Sequence, residues 1–229
     1  MDGNGRWAKK RGLPRFLGHR QGVDALKKAV RFASDIGIGT LTVYAFSTEN
    51  WQRPQAEVNF LLDLMYKTFV SEIEELRREG VRIFLIGDRQ TISEEIAAVW
   101  DKAEALTKEN KGLTLNVAFN YGGRQEITAA ARSLAKKVAA KKLTLEDITE
   151  DTFQKELYTR QSPDLDLIIR TGGESRLSNF LLWQAAYSEI YITDTLWPDF
   201  GPKDFARALQ DFSRRERRFG LVPVKENID

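Results

Sequence analysis

Five apolar runs rich in β-branched and aromatic residues alternate with stretches of helical periodicity, and this alternation restricts the fold more than any other feature. The runs cover residues 41–46, 81–86, 113–119, 165–169 and 188–192. Apolar positions recur at helical spacing over residues 23–36, 57–78, 92–106 and 125–140, and a further helix begins at Lys203. This strand-then-helix order predicts an α/β fold, with a mostly parallel central sheet of about six strands and helices on both faces.

The bulk composition is typical of one globular domain. A chain of 229 residues with 42% hydrophobic content can bury one sizeable core, so we expect a single domain over residues 1–229. The 35 Lys and Arg nearly balance the 33 Asp and Glu, which gives no support for a nucleic-acid partner. The chain has no cysteine, which is compatible with a reducing cytoplasm. No apolar run reaches the ~18 residues that a membrane-spanning helix needs.

The stretch DLIIRTGGESRLSNFLLWQ, residues 166–184, has the outline of an anion site. A short apolar strand breaks at a glycine pair into a loop that carries Arg170, Arg176, Ser178 and Asn179. Glycine lets backbone N–H groups approach a phosphate closely, and the planar guanidinium of arginine matches phosphate oxygens. Taken alone, the loop is equally compatible with an ordinary strand-to-helix turn that bears solvated arginines.

The first twenty residues also concentrate groups that can contact phosphate. They hold the turn-forming run MDGNGRW at residues 1–7, basic residues at 9–11, Arg15, and the only histidine of the chain, His19. N-terminal segments usually fray, so a disordered start is the simpler interpretation, but the density of phosphate-capable groups favours a function. A single histidine excludes a multi-histidine metal site, and the arginines around His19 favour a phosphate contact.

Polar side chains directly follow two of the predicted strands. The run STENWQRP comes after the strand 41–46, and NYGGR comes after the strand 113–119. Because α/β proteins bind ligands beyond the carboxyl ends of parallel strands, both runs are candidate site segments, although a capped turn explains the first equally well. NYGGR could place a guanidinium or a helix N-terminus at the same edge of the sheet. The nucleotide-binding glycine motifs and the nucleophile elbow are absent.

The predicted helix 57–78 has more apolar surface than one core-facing stripe requires. Phe60, Leu64 and Val70 widen the stripe that begins at Val58. Burial in the core or at a dimer interface explains this surface, and so does the wall of a channel for an apolar ligand. From this segment alone, core and interface rank above channel.

These motifs together resemble those of the cis-prenyltransferase (undecaprenyl diphosphate synthase) family, and those of its bacterial members most closely. The matching stretches, in chain order, are MDGNGRWA (1–8), GHR (18–20), YAFSTENWQRP (44–54), NYGGR (120–124), the run 166–184, AYSE (186–189), WPDF (197–200) and RERRFG (215–220). Any one stretch is weak support. The whole set in this order spans almost the entire chain and is highly specific.

The resemblance implies an enzyme that condenses several isopentenyl diphosphates onto farnesyl diphosphate. The implied product is a long polyprenyl diphosphate, undecaprenyl diphosphate, the lipid carrier precursor for cell-wall synthesis. Asp2 and Asn50 are the implied catalytic residues, Asn50 in a positioning role, and Mg²⁺ is the implied cofactor, with Asp2 and Glu189 as carboxylate ligands. The implied substrate-binding residues are Gly3, Asn4, Gly5, Arg6, Trp7, Arg15, His19, Ser47, Thr48, Glu49, Trp51, Arg53, Arg170, Arg176, Leu177 and Ser178, of which Arg170, Arg176 and Ser178 would hold isopentenyl diphosphate.

The resemblance also implies an assembly and a location. It implies a homodimer in which the segment around Arg218-Phe219-Gly220 reaches towards the other subunit's site, and a cytoplasmic protein that contacts the membrane surface transiently when it releases product. A growing apolar chain needs a dry channel between sheet and helices, which raises the rank of the channel interpretation for the helix 57–78. Leu113 is the candidate floor of that channel.

Two departures from the family pattern and two competing interpretations complete the sequence-based expectations. The family has a buried strand leading into the motif at Asp2, so we expect an N-terminal strand to be truncated here. Leu221 stands where a second glycine usually follows Arg-Phe-Gly. A non-catalytic partner subunit is disfavoured because the chain keeps Asp2 and Arg218-Phe219-Gly220. Nucleic-acid binding by residues 214–218 is disfavoured because an acidic residue interrupts the basic run.

Overall fold

The computed structural model describes residues 1–216, and its strands and helices alternate as the sequence predicts. The strands are β1 (Thr40–Ser47), β2 (Arg82–Ile86), β3 (Thr114–Tyr121), β4 (Leu167–Thr171) and β5 (Glu189–Thr193). The helices are α1 (Asn4–Lys10), α2 (Arg15–Asp35), α3 (Gln55–Arg78), α4 (Glu94–Thr107), α5 (Gly123–Ala139), α6 (Glu150–Gln154) and α7 (Pro202–Ser213). Short 3₁₀ helices cover Thr48–Gln52, Gln184–Tyr187 and Trp197–Asp199.

The first sheet is parallel, in the order β1-β3-β2, and it is covered on both faces. Its central strand β3 alternates its side chains between two apolar clusters. Leu115, Val117 and Phe119 pack into the main core with residues of α2, α3 and α4. Ala118 packs into a smaller cluster with Leu181, from the segment between β4 and β5. Burial on both faces is the reason that this strand reads as a continuous apolar run.

One central sheet of about six strands was expected, and this expectation is wrong. The described residues form five strands in two parallel sheets, three strands in the first sheet and β4 with β5 in the second. Strands β1 and β4 both line a cavity of about 1900 Å³, and no described strand lies between them. Backbone ladders require neighbouring strands ~4.8 Å apart, and no ladder joins β1 to β4, so the two sheets are separate.

The first residues are ordered by hydrogen bonds to the end of β4. The backbone N–H of Asp2 donates to Thr171 Oγ1 at 3.0 Å, and the Asp2 carbonyl accepts from the backbone N–H of Trp197 at 2.9 Å. Residues 4–10 continue as helix α1, although their glycine and asparagine content predicts a turn. The simpler interpretation of this segment, a frayed start, is therefore wrong.

Helix α1 crosses α2 unusually closely because residue 18 is glycine. A Cβ atom at Gly18 would lie 2.1 Å from the carbonyl oxygen of Asn4. Gly3, with φ of +105°, turns the chain into the helix just before this crossing. These two glycines therefore place the residues 2–6 beside α2 and against the second sheet.

The segment predicted to reach towards another subunit lies outside the described residues. It comprises Arg218, Phe219, Gly220 and Leu221. Within residues 1–216, no helix combines the length and the apolar character needed to cross a membrane.

Candidate active site

The loop after β4 owes its path to two glycines. Gly172 and Gly173 have φ of +87° and +75°, a region in which other residues are strained. Their N–H groups donate to the carbonyls of Thr195 and Thr193, each at 2.9 Å, and this turns the loop across the end of β5. The predicted break of the strand at the glycine pair is confirmed.

Arg170, near the end of β4, is held inside this loop by three groups. Its Nη1 donates to Ser178 Oγ at 3.0 Å and to the carbonyl of Arg176, and its Nη2 donates to Asp2 Oδ2 at 3.2 Å. The Arg170 side chain is only 16% exposed, whereas that of Arg176 is 61% exposed and pairs with Glu174 at 2.5 Å. The loop thus brings together the three residues predicted to hold one diphosphate.

The N-terminal segment meets this loop, although 168 positions separate Asp2 from Arg170. Arg6 Nη1 donates to the Gly172 carbonyl at 2.7 Å, and the Arg6 guanidinium lies 3.6 Å from the Asp2 carboxylate and 3.7 Å from that of Glu174. Three arginines from both ends of the chain therefore surround two carboxylates. We call this set, Asp2, Arg6, Arg170, Glu174 and Arg176, the loop cluster.

A second group of cationic side chains gathers around Glu57, in the first turn of α3. Its Oε1 lies 3.1 Å from Arg53 Nη1, 3.3 Å from Arg15 Nη2 and 3.8 Å from His19 Nε2. The Glu57 side chain is 16% exposed, so water screens these attractions less than at the surface. Sequence reasoning gave Glu57 no role. The sequence offered one indication of its role, because Glu57 lies four positions after the predicted substrate-binding residue Arg53. We call these four residues the helix cluster.

His19 is a neutral hydrogen-bonding group rather than a charged one. The pKa of His19 is lowered to about 4, mainly by burial and then by the positive charges of Arg53 and Arg15, while Glu57 opposes the shift. Its Nε2 is buried and has no hydrogen-bond partner among the described residues. A neutral imidazole in that position can donate one hydrogen bond to an anion in the adjoining cavity.

The turn after β1 is fixed by its own side chains. Asn50 Oδ1 accepts from the backbone N–H of Ser47 at 3.2 Å. Glu49 Oε1 accepts from Asn179 Nδ2 at 2.8 Å, which joins this turn to the loop after β4. The capping role that the sequence allowed for this run is thus present, and the same residues also face the large cavity.

Most of the predicted site residues line the cavity between the two sheets. Both cationic clusters contribute to its wall, and so do the turns after β1 and β4. The predicted site residues on this wall are Asp2, Gly3, Asn4, Gly5, Arg6, Arg15, His19, Ser47, Glu49, Asn50, Arg53, Arg170, Arg176, Leu177 and Ser178.

Four predicted site residues do not lie on this wall. Trp7 donates from Nε1 to Asp199 Oδ1 at 2.7 Å and lies under the Arg11 guanidinium. Trp51 donates from Nε1 to Asn120 Oδ1 at 2.7 Å, and its neighbour Thr48 has a buried hydroxyl without a hydrogen-bond partner among the described residues.

Glu189, the fourth of these residues, is separated from Asp2 by the length of the second sheet. It pairs with Leu167 at the start of β4, whereas Asp2 binds Thr171 at the end of that strand. Four residues of strand correspond to ~13 Å. The Glu189 carboxylate instead pairs with Arg215 at 2.8 Å. The structure therefore does not bring the two predicted metal ligands together within one chain.

Asp2 by itself fits a magnesium ion as a single protein ligand. Mg²⁺ prefers oxygen donors and commonly combines one or two carboxylates with phosphate oxygens and waters. The Asp2 carboxylate is 41% exposed and lies on the cavity wall between two arginines, where a metal-bound phosphate would also fit. Among residues 1–216, no three His, Cys, Asp or Glu side chains form a metal-binding group.

The second glycine-arginine turn, after β3, serves as a support for the first. The backbone N–H groups of Gly123 and Arg124, at the start of α5, donate to the carbonyl and to the Oδ1 of Asn179, at 2.7 and 2.8 Å. The helix N-terminus that the sequence offered to a ligand is therefore occupied by the loop of β4. Sequence reasoning did not find this role of Asn179.

A buried carboxylate fixes the far side of the same loop. Glu126 accepts hydrogen bonds from the Tyr121 hydroxyl at 2.6 Å, the Tyr158 backbone N–H at 2.8 Å and Gln184 Nε2 at 3.1 Å. Burial raises the pKa of Glu126, although these hydrogen bonds oppose the shift. Gln184 ends the motif 166–184, so Glu126 holds the end of the site loop against α5.

A smaller apolar cavity lies between α2, α3 and β3. Its volume is about 150 Å³, and its apolar wall includes Leu26 and Val30 of α2, Leu64 and Met65 of α3, and Val117 of β3. The channel interpretation placed the wall on α3 and the floor at Leu113. Of the three residues that widen the apolar face of α3, Leu64 lines this cavity, whereas Phe60 and Val70 do not, and Val70 is 56% exposed. Leu113 is buried in the main core and is not part of this wall.

Cationic clusters on the wall of one cavity, with a smaller apolar cavity beside it, are typical of the class of α/β proteins that act on phosphorylated ligands carrying an apolar group. Residues 1–220 match the model of the undecaprenyl diphosphate synthase family of prenyltransferases. Because this match covers nearly the whole chain, the protein belongs to that family.

Individual relatives agree with this assignment. An isoprenyl transferase of Thermotoga maritima is 52% identical over 96% of this chain and 94% of its own length. A lavandulyl diphosphate synthase from Lavandula x intermedia, solved in complex with dimethylallyl diphosphate, is 40% identical with a TM-score of 0.93, covering 96% of this chain and 95% of its own. A probable undecaprenyl diphosphate synthase from Campylobacter jejuni is 36% identical with a TM-score of 0.78, covering 88% and 92%.

Proposed function

We propose that this prenyltransferase condenses several isopentenyl diphosphates onto farnesyl diphosphate and makes a polyprenyl diphosphate of undecaprenyl length for cell-wall synthesis. The observation that carries this proposal is that the loop cluster and the helix cluster border one cavity. Two cationic groups of this kind suit two diphosphates, one on each substrate. The apolar cavity between α2 and α3 suits the hydrocarbon part of the growing chain.

The part of the loop cluster that follows β4, with Arg170 and Arg176, suits the incoming isopentenyl diphosphate. Arg170 is preorganised by Asp2, Ser178 and the Arg176 carbonyl, so its guanidinium presents a fixed geometry to phosphate oxygens. Arg176 is exposed and can close on the same diphosphate. The alkene of this substrate must face the allylic carbon of the other, because the new C–C bond forms between them.

The helix cluster and the N-terminal segment suit the allylic diphosphate. When its C–O bond breaks, positive charge develops on the allylic carbon and negative charge on the leaving diphosphate. We assign the stabilisation of that leaving group to Arg15, Arg53 and the neutral His19, because all three line the cavity and Glu57 holds them close together. Mg²⁺ bound at Asp2 would supply further positive charge to the leaving diphosphate.

The final step removes a proton from the carbon chain of the former isopentenyl unit. Asn50 lines the cavity, but its carboxamide is a weak base and its Oδ1 already accepts from Ser47. We therefore assign Asn50 a positioning role. The released diphosphate or a water is the proton acceptor in this scheme.

The assembly and the location are parts of the same proposal. Glu189 lies away from Asp2 within one chain, so its metal role requires a second copy, and we propose a homodimer. Strand β5 has a free edge in the described structure, which is suitable for contact with another subunit. Light scattering after size-exclusion chromatography tests this directly. A long apolar product requires release into a lipid surface, so we place the activity in the cytoplasm, at the inner face of the membrane.

The test is an assay with purified protein, farnesyl diphosphate, labelled isopentenyl diphosphate and Mg²⁺, followed by chromatography of the products. We expect a long polyprenyl diphosphate. Asp2→Ala should lower turnover by orders of magnitude, whereas Asp24→Ala, an exposed carboxylate on α2, should not. Absence of product from folded protein would refute the proposal, and near-normal turnover by Asp2→Ala would remove Asp2 from the mechanism.

A second candidate is a short-chain condensation. The apolar cavity is small, about 150 Å³, and the structural relative from Lavandula makes lavandulyl diphosphate. The same assay distinguishes long-chain from short-chain condensation. A short-chain enzyme would form only a short product, even with excess isopentenyl diphosphate.

A further inference from the structure

The apolar cavity between α2 and α3 is too small for a long hydrocarbon chain. Its volume is about 150 Å³. An apolar cavity of ~150 Å³ holds a benzene-sized molecule, and a five-carbon isoprene unit is of similar size. A product of several units can therefore extend between α2 and α3 only if these two helices move apart during elongation.

Three ion pairs join these two helices at the end of the cavity that lies furthest from the site. Lys27 Nζ is 2.7 Å from Glu72 Oε1, and Arg31 pairs both with Glu75 and, at 3.4 Å, with Glu79. All five side chains line the cavity. His19, which lines it at the site end, precedes Lys27 by ~12 Å along α2.

The partial exposure of these ion pairs would allow them to break and re-form as α2 and α3 separate and come together again. Arg31 and Glu75 are about half exposed, so water and salt screen their attraction. Lys27 and Glu72 are less exposed, at 36% and 17%. Burial acts to raise the pKa of Glu72, but the hydrogen bonds from Lys27 and Ser71 outweigh it and lower the pKa below its usual value. The inner pair is therefore the stronger part of the closure.

We propose that Lys27, Arg31, Glu72, Glu75 and Glu79 form a latch that limits the separation of α2 and α3 and thereby sets the number of isoprene units in the product. This inference rests on the proposed chain elongation. It assigns product length to charged residues at the end of the channel, in addition to the apolar residues along its wall.

The first test removes the charge of the latch on α3. The triple variant Glu72→Gln, Glu75→Gln, Glu79→Gln should shift the product distribution, measured by mass spectrometry, to longer chains by at least one isoprene unit. The control is Glu74→Gln, because Glu74 lies on the same helix but pairs with Arg77, also of α3, at 3.0 Å. Identical distributions from the triple variant and the unsubstituted protein would overturn the latch.

The second test holds the latch closed in a chain that has no native cysteine. In the double variant Lys27→Cys, Glu72→Cys, a cleavable thiol crosslinker of the length of the original pair should stop elongation after the first additions. A reductant should restore long products in the same sample. Crosslinking Glu74→Cys to Arg77→Cys within α3 should leave the product distribution unchanged. Long products from the crosslinked interhelical variant would contradict the proposal.

A third measurement does not depend on activity. Spin labels at Lys28→Cys on α2 and Val70→Cys on α3, both exposed positions outside the latch, report the distance between the helices. The distance distribution should widen in the triple variant and not in Glu74→Gln. An unchanged distribution would refute the latch even if no elongation were found. A widened one together with no polyprenyl product would locate the failure in the proposed function instead.

Discussion

Each cationic cluster of the site contains its own carboxylates. Asp2 and Glu174 lie among the arginines of the loop cluster, and Glu57 lies among those of the helix cluster. A diphosphate must compete with these carboxylates for guanidinium hydrogen bonds, which lowers the gain from each contact. The same carboxylates hold the guanidiniums in place, so binding immobilises fewer flexible side chains. At the residue scale, the site trades strength of attraction for fixed geometry.

Arg170 gives the first prediction. Arg170→Lys should raise the KM for isopentenyl diphosphate by ~10- to 100-fold, because hydrogen bonds to charged groups contribute ~1.5–3 kcal/mol and an ammonium cannot reproduce the guanidinium fork. The KM is measured with farnesyl diphosphate at saturation. Arg132→Lys, an exposed arginine on α5, is the matched control. An unchanged KM in the Arg170 variant would remove Arg170 from the binding of this substrate.

His19 gives a prediction about pH. Its pKa is about 4 in the folded protein, where burial is the main cause, against 6.5 for an ordinary histidine. The unfolded chain therefore binds the proton more readily, so stability is present above pH 6.5 and is lost as the pH falls towards 4. This single group should lower the free energy of unfolding by about 2 kcal/mol at pH 5 relative to pH 7.5.

Urea unfolding of the unsubstituted protein and of His19→Gln at both pH values isolates this contribution, because all other titrating groups are shared. The unsubstituted protein should lose more stability at pH 5 than the variant does. Equal losses in the two proteins would show that His19 is not held in its neutral form by the fold.

The close crossing of α1 and α2 gives a prediction at the element scale. In Gly18→Ala, the new Cβ would lie 2.1 Å from the Asn4 carbonyl oxygen, so α1 must shift away from α2. Overpacking of this kind should cost ~1–3 kcal/mol of stability. It should also weaken the binding of the allylic diphosphate, because α1 carries Arg6 of the N-terminal segment that we assign to that substrate. Urea unfolding and calorimetric titration with farnesyl diphosphate measure the two effects.

Gly39→Ala is the control for this crossing, because a Cβ there meets no atom within 4 Å. It should leave both stability and binding close to those of the unsubstituted protein. If Gly18→Ala bound farnesyl diphosphate normally while losing stability, the position of α1 would matter for folding alone and not for the site.

Elements with strong periodicity could be predicted from the sequence, and elements that depend on distant contacts could not. The strand predicted at 41–46 is β1, Thr40–Ser47, and the helix predicted at 57–78 is α3, Gln55–Arg78. Both are long and strongly patterned, so local propensity and burial agree. Helix α1 was not predicted, because it is stabilised by contacts that are distant in sequence. These are the crossing with α2 at Gly18 and the hydrogen bond of the preceding Asp2 to Thr171, 169 positions away.

The candidate site shows the same division. Arginines and glycines in short motifs were visible in the sequence, and most of the site residues predicted from these motifs lie on the cavity wall. The roles of the carboxylates that organise them were not predicted, because the sequence around Glu57, Glu126 and Glu174 does not indicate which side chains they contact in the fold. Their roles follow from contacts such as that of Glu126 with Gln184, which lies 58 positions away.

At the scale of the whole molecule, the separation of the two sheets organises the site. The cavity between β1 and β4 is lined by these two strands, by Arg53 just before α3 and by the N-terminal segment. Groups from residues 1–61 and 159–212 therefore face one space. The second sheet is fastened to the N-terminal segment by the bonds of Asp2 to Thr171 and Trp197, so a change in either sheet alters the distance between the two cationic clusters.

The charge of the whole molecule gives the last prediction. The formal net charge is only +2, so long-range attraction of a diphosphate is weak and binding depends on the local clusters. Salt should screen these partly exposed clusters, since the Debye length falls from ~10 Å at 0.1 M to ~3 Å at 1 M. The Kd for inorganic pyrophosphate, measured by calorimetry without metal, should therefore rise steeply with NaCl. The Kd for farnesyl diphosphate should rise less, because its hydrocarbon part is held by apolar contacts that salt does not weaken.

Arg170→Gln should make the Kd for pyrophosphate less dependent on salt, and the control Arg132→Gln should not. A pyrophosphate Kd independent of salt would mean that the arginine clusters do not hold the diphosphate, whatever their geometry.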